Sequence, residues 1–155
     1  MRLNTYRTDP EGYRRLLAWN EHLATGPIEP SLRALVEARA SQINGCAFCL
    51  AMHMDEARMA GVEQIKLDAL AAWPEVRAFD ERERAALALT EAMTRLADRG
   101  GVEQSVWSLV RAQFDDAELA ALVQLVALIN AFNRISVATE RSAEDYLEYA
   151  RATRS

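Results

Sequence analysis

Cysteine and histidine are scarce in this chain: its 155 residues include two cysteines, Cys46 and Cys49, and two histidines, His22 and His53. Two cysteines cannot make the disulfide framework of a small secreted domain. Positive charge is also short. Eighteen Lys and Arg against 23 Asp and Glu leave a net charge of -5, which gives no basic surface for a phosphate backbone. Arg141, Arg151 and Arg154 are interleaved with Glu140, Glu144, Asp145 and Glu148, so they form no basic arm. The N-terminus lacks the apolar core of a signal peptide. The longest apolar stretch, Leu119 to Phe132, is interrupted by Gln124 and Asn130 and is shorter than the about 20 residues that cross a bilayer. These absences predict a cytoplasmic protein that engages neither nucleic acid nor membrane. No alternating strand pattern, repeat, linker or low-complexity segment is visible. One all-α domain over residues 1–155 is the expectation.

What is present is helical periodicity with clear punctuation. Asp9-Pro10 reads as a helix start, and Thr25-Gly26-Pro27 as its stop. A second helix follows Pro30-Ser31 and breaks at Asn44-Gly45, two residues that tolerate left-handed backbone. A third runs from Cys46 to Gly61, and a shorter one from Val62 to Ala72, before Trp73-Pro74. Asp80 with Glu83 reads as a capping box, opening a helix that lasts to Gly100-Gly101. Val102 to Phe114 is a further helix. Asp115-Asp116 opens the last segment, expected to bend near Asn130 to Asn133 and continue to Tyr149. Ala117 to Ala131 is apolar on nearly every face, so it must be covered all round, by neighbouring helices or by a second subunit. We favour a homo-oligomer.

The chemistry concentrates in Asn44-Gly45-Cys46-Ala47-Phe48-Cys49-Leu50-Ala51-Met52-His53. Positions i, i+3 and i+7 share one face of a helix, which places Cys46, Cys49 and His53 together. Cys46 opens the helix and Cys49 lies in its first turn, where free N–H groups and the helix dipole favour a thiolate. Two thiols one turn apart can close a disulfide. One can attack a peroxide to give a sulfenic acid, with which the other condenses, and an external dithiol then resets the pair. Three other readings compete: a zinc site drawing also on His22, two inert buried cysteines, and a His53 that only satisfies a core hydrogen bond. A same-face Cys-Cys-His set weighs toward redox chemistry. Asn130 and Asn133 read as helix-to-helix hydrogen bonders. Trp19, Trp73 and Trp107 read as core or interface, and Met52, Met54 and Met59 as the lining of the pair's pocket or its interface.

The stretch from Arg39 through Cys49, followed by His53, resembles the core motif of AhpD-like alkylhydroperoxidases within the carboxymuconolactone decarboxylase family. Trp73, Phe79 to Leu87 and Ile129 to Arg134 fit the same pattern, so the resemblance spans roughly Leu32 to Val137. It implies an all-α fold with the redox pair at a helix N-terminus, and a homo-oligomer, often a trimer or hexamer. It also implies reduction of an organic hydroperoxide with no cofactor and no metal. The implied roles are Cys49 as the attacking sulfur, Cys46 as the resolving one and His53 as the proton shuttle. Peroxidase members commonly carry a relay Glu twelve residues before the first cysteine, where this chain has Ala34. Glu37, three residues on and nearly on the same face, is the candidate replacement, reaching His53 through a water. A His that some peroxidase members place between the cysteines is absent here, where Ala47 and Phe48 stand.

Overall fold

The computed structural model describes residues 1–154; Ser155 and the side chains of Arg99, Thr153 and Arg154 lie outside the described residues. Among the described residues ten α-helices follow one another: α1 (Thr5–Thr8), α2 (Pro10–Ala24), α3 (Pro30–Asn44), α4 (Ala47–Met59), α5 (Gln64–Asp68), α6 (Glu81–Thr94), α7 (Leu96–Arg99), α8 (Gln104–Gln113), α9 (Asp116–Ala138) and α10 (Ala143–Arg154), with a 3₁₀ turn at Leu70–Glu75. No strand occurs among the described residues.

The starts are written locally. The Asp9 carboxylate accepts from Gly12 N–H at 3.0 Å with Pro10 in the first turn. Asp80 with Glu83, and Asp115 with Glu118, form reciprocal capping boxes. Arg82 ties two of these ends together, bonding Glu29 at 3.1 Å and Glu118 at 2.8 Å.

Helix α3 lies at the centre. Eight consecutive residues, Ala34 to Ser41, are buried, because α4, α6 and α9 pack around it. The largest apolar cluster joins Leu32 and Val36 of α3, Leu89 of α6 and Leu122, Leu125 and Val126 of α9. A second cluster packs Leu35 and Ala38 against Leu67, Leu70, Phe79 and Leu87. A third is small and joins Cys46, Phe48 and Cys49 to Tyr146 and Ala150 of α10.

Several boundaries differ from the sequence reading. Helix α9 is not interrupted at Asn130–Asn133 and runs to Ala138, with both amides tied to Asn44 of α3. The break comes later, where Glu140 adopts φ 55° and Ser142 and Asp145 bond each other's main chain to restart the helix as α10. The segment from Asp80 is cut at Arg95, and that from Val62 divides into α5 and the 3₁₀ turn. Helix α1 had no apolar periodicity to reveal it. At 23 residues, with an 18-residue stretch of mean hydropathy 1.5, α9 is long and apolar enough to cross a membrane, contrary to the shorter stretch read from sequence. It packs instead against α2, α3, α4 and α6, the place of a core helix.

Candidate functional site

The site begins where α3 hands over to α4. Gly45 sits at φ 66° in the left-handed region, which a residue with a Cβ resists. The turn is closed by Cys46 N–H donating to Ser41 O at 3.0 Å. Cys46 then takes extended backbone and caps α4 with sulfur in the place of the usual oxygen: Cys49 N–H donates to its Sγ at 3.4 Å. Both cysteines are free and each is only 2% exposed. Residues one helical turn apart have Cα separations within the about 4.4–6.8 Å that a disulfide spans.

The two sulfurs share one proton. The Cys49 thiol, and next its backbone N–H, hydrogen-bond Cys46 and draw its pKa from 9.0 down to about 7, against the opposing effect of burial. Cys49 is pushed far up by the same hydrogen bond and by burial. The first negative charge therefore rests on Cys46, the sulfur to which the resemblance gives the resolving role.

His53, one turn beyond Cys49, is 4% exposed. Its Nδ1 lies 2.7 Å from Glu56 Oε2 and 3.3 Å from Glu37 Oε2. Burial works against its charge, but the Glu37 carboxylate, the Glu56 hydrogen bond and charge, and the Cys49 sulfur together raise its pKa. Glu37 is 3% exposed, and burial raises its pKa despite His53 and Arg33 beside it. Arg33 Nε reaches Glu37 at 3.3 Å and Asn20 at 2.8 Å through Nη2. His53 Nε2 is buried and has no hydrogen-bond partner among the described residues. One face of the imidazole is thus held by two carboxylates, and the other nitrogen is left for a reacting group.

The sequence reading placed Cys46, Cys49, His53 and Glu37 in one site. The structure brings Glu37 against His53 directly, where a bridging water had been expected, and keeps its bond to Arg33 as well. Glu56 went unnoticed, although the His53-x-x-Glu56 spacing is that of neighbours on a helix. Of the three methionines, Met52 packs on the sulfur cluster, Met54 belongs to the second cluster and Met59 is 76% exposed. Trp19 and Trp73 are part-buried and donate to Gln124 and Glu91, while Trp107 is 38% exposed.

As metal ligands, Glu37, His53 and Glu56 offer atoms within 4.8 Å of one another. The 2.7 Å between Nδ1 and Glu56 is a hydrogen-bond distance, shorter than the about 3.3 Å that tetrahedral zinc ligands keep from each other. Arg33 also already partners Glu37. A shared proton fits this spacing better than an ion. His22 is exposed in the last turn of α2 and belongs to no such group among the described residues.

Residues 10–92 match the profile of the carboxymuconolactone decarboxylase family. Protein YdfG of Bacillus subtilis (strain 168) is 34% identical over 137 residues, 88% of this chain and 92% of its own. The chain belongs to the carboxymuconolactone decarboxylase family. It is an AhpD-like member: a protein of unknown function from Agrobacterium tumefaciens, suggested to be the antioxidant defence protein AhpD, superposes with a TM-score of 0.87 at 31% identity, covering 91% of this chain and 96% of its own. The debrominase Bmp8 has the same fold at 17% identity, with a TM-score of 0.80 over 89% of this chain and 74% of its own. The same fold thus also serves a debrominase, and fold alone does not fix activity.

Proposed function

We propose that this AhpD-like protein is a cysteine-based peroxidase that reduces an organic hydroperoxide through Cys46 and Cys49. The observation that carries the reading is the pair itself, one thiol with a lowered pKa accepting the Cys49 N–H at a helix start and the other a turn away, beside an imidazole with an unused buried nitrogen. In the reduced protein Cys46 holds the charge and Cys49 the proton. Passing that proton along the S–H···S hydrogen bond leaves the thiolate on Cys49, next to His53. The Cys49 thiolate attacks the distal peroxide oxygen, the O–O bond breaks, and His53 gives its Nε2 proton to the departing alkoxide. Cys49 is now a sulfenic acid. The Cys46 thiol condenses with it, forming the disulfide and releasing water. An external dithiol reduces the disulfide, one of its two protons returning to Cys49 and the other to His53 Nε2. Glu37 and Glu56 hold the ring and its charge in this scheme.

The outward stripe of α9 (Ala120, Gln124, Ala127, Arg134) is exposed on an otherwise apolar helix and supports the homo-oligomer implied by the resemblance, a trimer or hexamer. The functional test is consumption of cumene hydroperoxide with dithiothreitol as reductant. Steady turnover abolished by Cys49→Ser, with a sulfenic acid trapped on Cys49 in Cys46→Ser, is the expected result. A sulfenic acid on Cys46 in Cys49→Ser would exchange the roles. One stoichiometric oxidation without turnover would replace the enzyme by a redox-sensing module.

A further inference from the structure

Arg141 has no part in that scheme, yet it stands beside the sulfur cluster. Its guanidinium lies over the Phe48 ring, 3.6 Å from the ring centre. Phe48 precedes Cys49 in the chain and packs in one cluster with Cys46, Cys49 and Tyr146. The backbone sets where Arg141 stands. At the end of α9, Glu140 N–H donates to Val137 O at 3.2 Å and Arg141 N–H to Ser136 O at 3.0 Å, a Schellman closure. Its left-handed position is filled by Glu140 at φ 55°, where glycine is usual. The residue delivered by that strained turn is Arg141.

What Arg141 lacks is an anion. The buried or half-buried guanidinium groups of Arg33, Arg39 and Arg82 all end on carboxylates. Arg141 is half-buried too, but its side chain's one hydrogen bond among the described residues is a long one, 3.4 Å from Nη1 to the Tyr13 hydroxyl. The neighbouring carboxylates are engaged elsewhere: Glu140 pairs with Arg2, Asp145 accepts from the Ser142 main chain, and Asp55 accepts from the Tyr146 hydroxyl. Nε and Nη2 of Arg141 are left as a fork that matches the two oxygens of a carboxylate. We propose that Arg141 binds a carboxylate at the active site, and that the hydroperoxide reduced there carries that group. The inference rests on the peroxidase reading for the identity of its ligand. Arg141 and the sulfurs share Phe48 as a neighbour, so one compact molecule can set its carboxylate on the guanidinium and its O–O bond at Cys49. Arg141 touches no reacting atom in this arrangement; it selects the substrate and orients it.

The test compares cumene hydroperoxide with its para-carboxylate, using uncharged dithiothreitol as reductant so that only the peroxide half is read. Wild type should favour the carboxylate in kcat/KM by about tenfold, the weight of one hydrogen-bonded charge, and the preference should shrink as salt is added. Arg141→Met keeps an aliphatic cover on Phe48 without the charge, and should bring the ratio of the two substrates to about one. Arg141→Lys should keep part of the preference, and carries the same comparison where Arg141→Met does not fold. A purely structural Arg141 would lower both rates together and leave their ratio alone. Binding gives a readout that needs no turnover. The unreactive 4-isopropylbenzoate should protect the wild-type cysteines from iodoacetamide at about tenfold lower concentration than 4-isopropylbenzamide, and Arg141→Met should abolish the difference. A wild type that treats charged and neutral probes alike, or a variant whose ratio matches wild type, overturns the proposal. If the benzoate is preferred through Arg141 but neither hydroperoxide turns over, the peroxidase reading fails and the carboxylate site stands.

Discussion

Replacing Cys49 by alanine is the sharpest perturbation of the shared proton. The Cys49 thiol is the largest influence lowering Cys46 from 9.0 to about 7, a fall of two units. Alanine deletes that donor but keeps the backbone N–H at 3.4 Å. Burial, which pushes the other way, also remains. The Cys46 midpoint should therefore climb by about one to two pH units, while Cys49→Ser, whose hydroxyl can still donate, should stay within about half a unit of wild type. Thiolate absorbance as a function of pH measures both. Stability carries the same signature. A thiol whose folded pKa lies below its unfolded value adds stability as pH rises from about 7 to 9, and that gain is lost as pH falls through 7. Above about 9 the trend reverses, because the unfolded chain releases the Cys49 proton that the folded chain retains. The urea midpoint of reduced wild type, taken relative to Cys46→Ala, should follow that rise and fall. A Cys49→Ala protein that still titrates near pH 7 would refute the shared-proton account.

Four further outcomes follow from the same geometry. His53→Gln should cut hydroperoxide turnover by about a hundredfold, the usual weight of a positioned general acid, while leaving the disulfide able to form slowly. In Glu56→Gln the His53 ring loses a charge 2.7 Å away, so its pKa should fall, shown by a lower midpoint of its ring-proton NMR shift; an unmoved midpoint would leave Glu37 as the sole partner that matters. Tyr146 closes α10 over the pair, bonding Asp55 at 2.9 Å and meeting the Phe48 ring edge-on at 5.9 Å; Tyr146→Ala should speed iodoacetamide labelling of the cysteines by at least about tenfold through local opening. Asn44→Ala strands the Oδ1 atom of Asn133 that it serves at 2.9 Å, while Asn130 Oδ1 keeps Arg134 as a donor at 2.8 Å, and should cost about 1–3 kcal/mol in denaturant unfolding.

The architecture was legible wherever the chain carries caps. Asp9-Pro10, Asp80 with Glu83, and Asp115 each start a helix as their chemistry demands. The junction at Thr139–Ser142 was not legible, because Glu140 takes a left-handed backbone without the glycine or asparagine that would announce it. In the site, the i, i+3, i+7 spacing was enough to unite Cys46, Cys49 and His53. Long-range partners were not: Tyr146 packs on the sulfurs, and Asn133 meets Asn44 beside the turn, only because α10 and α9 pack there, and no spacing near residue 46 encodes that. Glu37 was found through the resemblance, and its direct contact with His53 depends on how α3 and α4 cross.

The Asn44 amide bridges the residue just before the Gly45 turn to two points on α9. Such a cross-brace holds the main chain around the sulfurs in one place. Forming and breaking the disulfide then becomes a matter of side-chain rotation alone, with the scaffold standing still. Reduced and oxidised protein should present the same outer contour, and a reductase docking there would tell them apart by charge rather than by shape.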